Sequence, residues 1–151
     1  MKPYHSTKTD RLVTYVERPD RLTTFRQFVG PSQRQALYAA MQGEEGVFFR
    51  DKVKHLIDQL QTMPTTYQQD GLGEQAIVYL HYFTGGADWY ITEQDMDTDG
   101  EGQHQAFGLA DLYGDGGELG YISLVELLET GAELDLYWTP KTLQAIREGA
   151  Q

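Results

Sequence analysis

Ala76-Ile77-Val78-Tyr79-Leu80-His81-Tyr82-Phe83-Thr84-Gly85-Gly86-Ala87-Asp88-Trp89-Tyr90-Ile91-Thr92-Glu93 has the pattern of two strands joined by a tight turn. Its first eight residues are nearly continuously apolar, the pattern of a central strand buried on both faces. Thr84-Gly85-Gly86-Ala87 turns the chain, because paired glycines reach the positive φ values of tight hairpins, and the segment from Asp88 to Glu93 pairs back. Downstream the vocabulary repeats. Ala106-Phe107-Gly108-Leu109-Ala110-Asp111-Leu112-Tyr113 reads as the next strand, Gly114-Asp115-Gly116-Gly117 as a turn and Glu118-Leu119-Gly120-Tyr121-Ile122 as a further strand. Ser123 and Glu126 form a capping box that opens a short helix through Leu124, Leu127 and Leu128, closed by Gly131. Residues 133–138 make one more strand, and Thr139-Pro140 pairs an N-cap with a first-turn proline ahead of Leu143 and Ile146.

Upstream the period changes from two to 3.6. From Asp20 as N-cap, Leu22, Phe25, Phe28 and Val29 recur at helical spacing until Gly30-Pro31. Ser32 with Gln35 reads as a capping box for a second helix striped by Ala36, Leu37, Ala40 and Met41 and stopped by Gly43. Phe49, Val53, Leu56, Ile57, Leu60 and Met63 mark a third helix ending at Pro64. Within the first nineteen residues only Val13-Thr14-Tyr15-Val16 suggests structure, a short strand ended by Pro19. The expected architecture is α+β: N-terminal helices packed on an antiparallel sheet of about four to five strands with short helical insertions, in one domain.

Composition limits what such a domain does. A chain of 151 residues with 40% hydrophobic content removes roughly two thirds of its unfolded surface from water and builds one core. No apolar run reaches membrane-spanning length, and Met1-Lys2-Pro3-Tyr4-His5 leads into polar residues rather than a signal-peptide core, so a soluble cytoplasmic protein is expected. The absence of cysteine excludes disulfides, thiolate zinc sites and thiol nucleophiles.

Charge is unevenly spread. Residues 1–85 carry ten Lys/Arg and nine Asp/Glu, whereas residues 86–151 carry two Lys/Arg and fourteen Asp/Glu, and no lysine or arginine lies between Lys54 and Lys141. Nucleic-acid binding needs cations along the phosphates, so the C-terminal half is expected to bind neither DNA nor RNA directly but a basic protein.

The segments Trp89-Tyr90-Ile91-Thr92-Glu93-x-Asp95, Ala106-Phe107-Gly108-Leu109-x-Asp111-Leu112, Glu118-Leu119-Gly120-Tyr121-Ile122-Ser123-Leu124-x-Glu126-Leu127 and Leu134-Asp135-Leu136, taken in order, resemble the bacterial domain-of-unknown-function family 2958 over residues 76–146. Members of that family are common on plasmids, integrative elements and phage-like regions. The resemblance therefore implies an accessory protein of mobile DNA; it implies no reaction and carries over no catalytic residue. The helical portion, residues 20–64, departs from the shorter pattern of the family.

Several constellations bear on function. Asp95-Met96-Asp97-Thr98-Asp99-Gly100-Glu101 reproduces the first half of a calcium loop, with Asp95, Asp97, Asp99 and Glu101 as candidate ligands. The twelfth position is Ala106 rather than a bidentate glutamate, and the flanks read as strands, so the alternative is an acidic hairpin loop kept soluble by its charge. Calcium is the one cofactor the residues suggest. Asp97, Asp99, Asp111, Asp115 and Glu118, with Trp89 and Tyr121, are the candidate partner-binding set, within a wider acidic group of Asp88, Glu93, Glu126, Glu129, Glu133 and Asp135. Negative charge so presented could imitate a nucleic-acid backbone and attract a cationic groove, or merely occupy the solvent side of each strand.

His5, His55, His81 and His104 have no zinc-pair spacing; His81 reads as a satisfied core histidine, and His104 alone has metal company beside the acidic loop. Among the strand aromatics Trp89, Tyr90, Tyr121, Tyr137 and Trp138, alternation sends adjacent rings to opposite faces. Tyr4-His5-Ser6-Thr7 is similar to the Tyr-His-Gly-Thr opening of ADP-ribosyltransferase-like folds, where a histidine holds the cofactor's ribose, although Ser6 replaces the glycine and a frayed tail is the alternative. Three functional readings follow: a non-enzymatic accessory protein that binds another protein and mimics nucleic acid or counters a defence system, a small calcium-binding module, and an ADP-ribosyltransferase-like enzyme. Oligomeric state is open.

Overall fold

The computed structural model describes residues 19–149, which divide after Thr62 into two compact units, where the helical period gives way to the strand period. The strand read at Val13–Val16 and the Tyr4-His5-Ser6-Thr7 motif lie outside the described residues.

The first unit is three helices: α1 (Pro19–Phe28), α2 (Pro31–Met41) and α3 (Gly46–Thr62). Both α1 and α2 pack on α3, burying Phe25, Phe28, Val29, Leu37, Met41, Val53, Ile57 and Leu60. Most of the apolar positions read along each helix are buried or half-buried, although Ala36 is exposed, and two of the capping assignments change. Helix α1 starts at Pro19, so Asp20 lies inside its first turn. Helix α2 is capped by Gly30 with Pro31 at the first position and no side-chain cap bond, because a proline there already fits the helix and moves its start ahead of Ser32. Buried Arg21 donates to Asp58 of α3 at 2.6 Å and to Gln61 at 3.0 Å, tying α1 to α3.

The second unit contains the sheet. Strands β1 (Ile77–Val78), β2 (Leu80–Thr84), β3 (Ala87–Glu93), β4 (Ala106–Asp111), β5 (Glu118–Ile122), β6 (Glu133–Leu134) and β7 (Lys141–Thr142) are joined by helices α4 (Leu124–Glu129) and α5 (Leu143–Arg147). Five of them form an antiparallel sheet in the order β5-β4-β3-β2-β6, and β1 pairs with β7 apart from it. The α+β class and the antiparallel sheet agree with the sequence reading. The β2–β3 hairpin is as read, with Thr84 opposite Ala87 and Gly85 at φ 55°.

The eight-residue apolar run is not one central strand. It breaks at Tyr79 into β1 and β2, and β2 is buried only at Leu80 and Tyr82, leaving Phe83 exposed. Complete burial pushes the Tyr82 phenol far above its usual range. Ile77 pairs with Thr142, and Ala76, Val78, Leu109 and Leu143 form a small core closed by Tyr90, Trp138 and Ile146. This distant pairing also overturns the last helix start. Lys141 and Thr142 are drawn into β7, so the cap is Thr142, whose hydroxyl accepts from Ala145 N–H at 3.1 Å, and Thr139-Pro140 stays outside. Residues 133–138 form a strand only at β6; beyond it Tyr137 N–H bonds back to Asp135 in a turn. The Ser123 cap is as read, its hydroxyl accepting from Glu126 N–H at 3.2 Å. No described helix is long and apolar enough to cross a membrane.

Candidate functional site

Topology separates the acidic residues that the sequence grouped. The β2–β3 turn, the β4–β5 turn (residues 112–117) and the start of β6 lie at one end of the sheet, since Asp88 is opposite Asp111, Glu118 opposite Ala110, and Glu133 opposite Phe83. This hairpin end gathers Asp88, Asp111, Asp115, Glu118 and Glu133. Asp97 and Asp99 sit in the β3–β4 connection, at the other end of the same strands. Of the candidate partner-binding set, the structure therefore brings together Asp111, Asp115, Glu118 and Tyr121. Trp89 is half-buried and, by alternation from Tyr90 opposite Leu109, lies on the other face from Tyr121.

The β4–β5 turn is rigid for its size. Asp111 Oδ1 accepts from Gly114 N–H at 2.8 Å and Asp115 Oδ1 from Gly117 N–H at 3.2 Å. Gly117 has φ 74°, and a Cβ there would lie 2.4 Å from the Ala110 carbonyl oxygen. The turn displays Tyr113, 84% exposed, beside Leu112, Leu119 and Tyr121, each about half exposed. Together with Asp115 and Glu118 these side chains line a shallow open groove of about 480 Å³. Leu112, Tyr113 and Leu119 were missed as surface residues because they were read as strand; an aromatic adjoining Gly-Asp-Gly-Gly was the available signal.

Tyr121 is braced rather than loose. Phe107 meets it edge-on at 5.8 Å, and the Tyr67 hydroxyl bonds to its own. That bond, with smaller contributions from desolvation and from Tyr67 and Asp70, raises its phenol above the usual range. Tyr67 in turn holds φ 80°, rare for a residue with a side chain, and its N–H donates to buried Glu93 at 2.8 Å. Neither Tyr67 nor the bracing role of Glu93 is legible from local pattern.

At the far end, the loop carboxylates serve their own backbone. Asp95 Oδ1 accepts from Asp97 N–H, and Oδ2 from His104 and Gln105 N–H at 3.2 and 3.1 Å; Asp97 Oδ1 accepts from Gly102 N–H, and Asp99 Oδ1 from Glu101 N–H. Among the described residues no group of three or more His, Cys, Asp or Glu is disposed to hold a metal ion. Asp95→Asn should therefore lower the thermal midpoint by about 3–6 °C, the consequence of losing about 1–2 kcal/mol of amide acceptance. Scanning calorimetry should find the same loss in chelator and in calcium. Calcium stabilisation of the parent that vanishes in the variant would instead assign these residues to a metal.

His81 is engaged on both sides. Its Nε2 lies 2.8 Å from Asp88 and its Nδ1 3.0 Å from Asp135, while the ring stacks on Tyr90 at 4.9 Å and meets Trp138 at 5.1 Å. With a carboxylate oxygen against each ring nitrogen, the imidazole has no open nitrogen to present to a substrate. Trp138 carries Lys141 over its ring at 4.5 Å and donates to the Val78 carbonyl. His55 is exposed on α3, and His104 Nε2 contacts the Glu101 carbonyl.

An antiparallel sheet with one acidic, aromatic-bearing end defines an α+β protein whose most distinctive described surface is built from turns and an outer strand. The family model described as "Protein of unknown function (DUF2958)" matches residues 49–140, and the chain belongs to that family. The match begins within α3, ahead of the residue 76 boundary inferred from the strand segments, so part of the helical portion is family sequence as well. No curated protein and no solved structure matches the chain.

Proposed function

We propose that the protein is a non-enzymatic accessory factor of a bacterial mobile element that acts by binding a basic protein through the hairpin end of its sheet, in the manner of a nucleic-acid mimic. The observation that carries this reading is that Asp111, Asp115 and Glu118 stand together there beside exposed Leu112, Tyr113 and Leu119, with Tyr121 further along the same groove. No lysine or arginine occurs between Lys54 and Lys141 to neutralise it. Carboxylates speed the approach of a cationic partner and select against anionic ones, while tyrosines supply rigid contact area at small entropic cost. The mobile-element setting follows from the family's usual surroundings.

The test is capture of partners from the source bacterium on the immobilised protein at low and high salt. We expect a basic protein retained at about 50 mM salt and released by about 500 mM, where screening shortens to a few ångströms. The triple variant Asp111→Asn, Asp115→Asn, Glu118→Gln should retain less than about a tenth as much, a loss of roughly 1.4 kcal/mol or more. Equal retention by the variant would refute the proposal.

A further inference from the structure

Among the described residues β5 pairs with β4 alone and is one of the two outer strands of the sheet. Outer strands are normally guarded, by lysine, proline, a bulge, shortness or a covering segment, because their outward N–H and C=O groups invite another strand. Strand β5 has few of these guards. It contains no lysine or proline, and its register with β4 runs unbroken from Ala106 opposite Ile122 to Ala110 opposite Glu118. Its side chains Glu118, Leu119 and Tyr121 are exposed. At Gly120 a Cβ would meet nothing within 4 Å, so one face of the strand is open to a neighbour's side chain.

The surroundings select the occupant by charge. By register Asp111 shares a face with Leu119 and Tyr121, Glu118 takes the other face, and Asp115 lies in the turn just before the strand. A strand laid beside β5 thus meets carboxylates at the hairpin end and apolar or aromatic groups further along. A second copy fits poorly, since each chain carries a net charge of −11. Resting on the reading that this end binds a basic protein, we propose that the partner contributes an extended segment that adds to the sheet beside β5, with lysine or arginine at its hairpin-end positions and apolar residues against Leu119 and Tyr121. Main-chain bonds then supply affinity, and the alternating side chains supply selectivity.

The experiment uses the whole protein and a capped peptide of about eight alternating lysines and valines, long enough to span an ordinary strand. Two controls accompany it: the same peptide with a central proline, and a glutamate–valine counterpart. Binding is read by fluorescence anisotropy, and amide hydrogen exchange is read across residues 118–122. The proposal expects the lysine peptide to bind, the β5 amides that point away from β4 to exchange at least about tenfold more slowly in the complex, and both controls to bind at least about tenfold more weakly. Equal binding by the proline peptide with no protection of β5 would overturn strand addition while leaving a cation-binding end intact. No binding of the lysine peptide, with a basic protein still captured in the charge-dependent way described above, would likewise overturn strand addition alone. Failure of both assays would overturn the two readings together. Protection, in the free protein, of the β5 amides that point away from β4 would mean that the edge is already filled; sedimentation would then tell a second copy from a segment of the same chain, and either result contradicts the proposal.

Discussion

Gly108→Ala should destabilise the sheet unit by about 4 kcal/mol or more, a large share of the roughly 5–15 kcal/mol that holds an ordinary domain. A Cβ at this position would lie 2.0 Å from the Tyr90 carbonyl oxygen and 2.9 Å from Ile91 Cα, both backbone atoms that cannot rotate away. The crowding arises where β3 and β4 change register between Ile91 and Glu93, bringing one backbone unusually close to the other. Gly120 provides the internal control. It stands directly opposite Gly108 on β5, yet a Cβ there meets nothing within 4 Å. Gly120→Ala should be neutral or stabilising by up to about 1 kcal/mol, because alanine loses less backbone entropy on folding. Urea titration of the two variants side by side checks the contrast; similar losses would contradict the packing described for β3 and β4.

Glu93→Ala should cost about 3 kcal/mol, the second-largest effect expected from a single substitution. The residue is 4% exposed, and its two carboxylate oxygens accept from Tyr67 and Gln69 N–H, both at 2.8 Å. Removing it leaves two amides without an acceptor and releases a tyrosine held at φ 80°. Glu93→Gln retains one acceptor but turns an NH₂ toward a donor, so it should recover little. The consequence reaches the exposed side of β5. With Tyr67 released, the Tyr121 hydroxyl loses the bond that does most to raise its phenol, and its titration should move back down toward the ordinary range. Tyrosine absorbance titration of parent and variant reads that movement directly. An unchanged titration would mean that Glu93 does not brace Tyr121.

These two residues show where sequence reading stops. Gly108 was legible as a strand residue, but the close approach that requires glycine there is set by the neighbouring strand. Glu93 was counted with the surface acids because it ends a strand ahead of an acidic loop, whereas the 65–72 segment folds over it. Local signals served well where they had no distant competitor. Gly85-Gly86 made a hairpin, Ser123 capped α4, and Val53, Ile57 and Leu60 marked the buried stripe of α3. They misled where a partner far along the chain intervened. Pairing of Ile77 with Thr142 split the apolar run at Tyr79 and moved the α5 cap from Thr139 to Thr142. The candidate site follows the same pattern. Its carboxylates were visible as composition, but their division between two ends of the sheet depends on strand order, which no local periodicity encodes.

If position, rather than total charge, makes the hairpin end a binding surface, two variants of equal charge should differ in affinity. One variant carries Asp111→Asn, Asp115→Asn and Glu118→Gln; the other carries Asp97→Asn, Asp99→Asn and Glu101→Gln in the β3–β4 loop, so both lose three negative charges. Affinity for the captured basic partner is measured by titration calorimetry at about 50 mM salt, where surface charges are little screened. Binding should weaken at least about tenfold in the hairpin-end variant and less than about threefold in the loop variant. Equal weakening of both would show that bulk negative charge, and not this end of the sheet, does the binding.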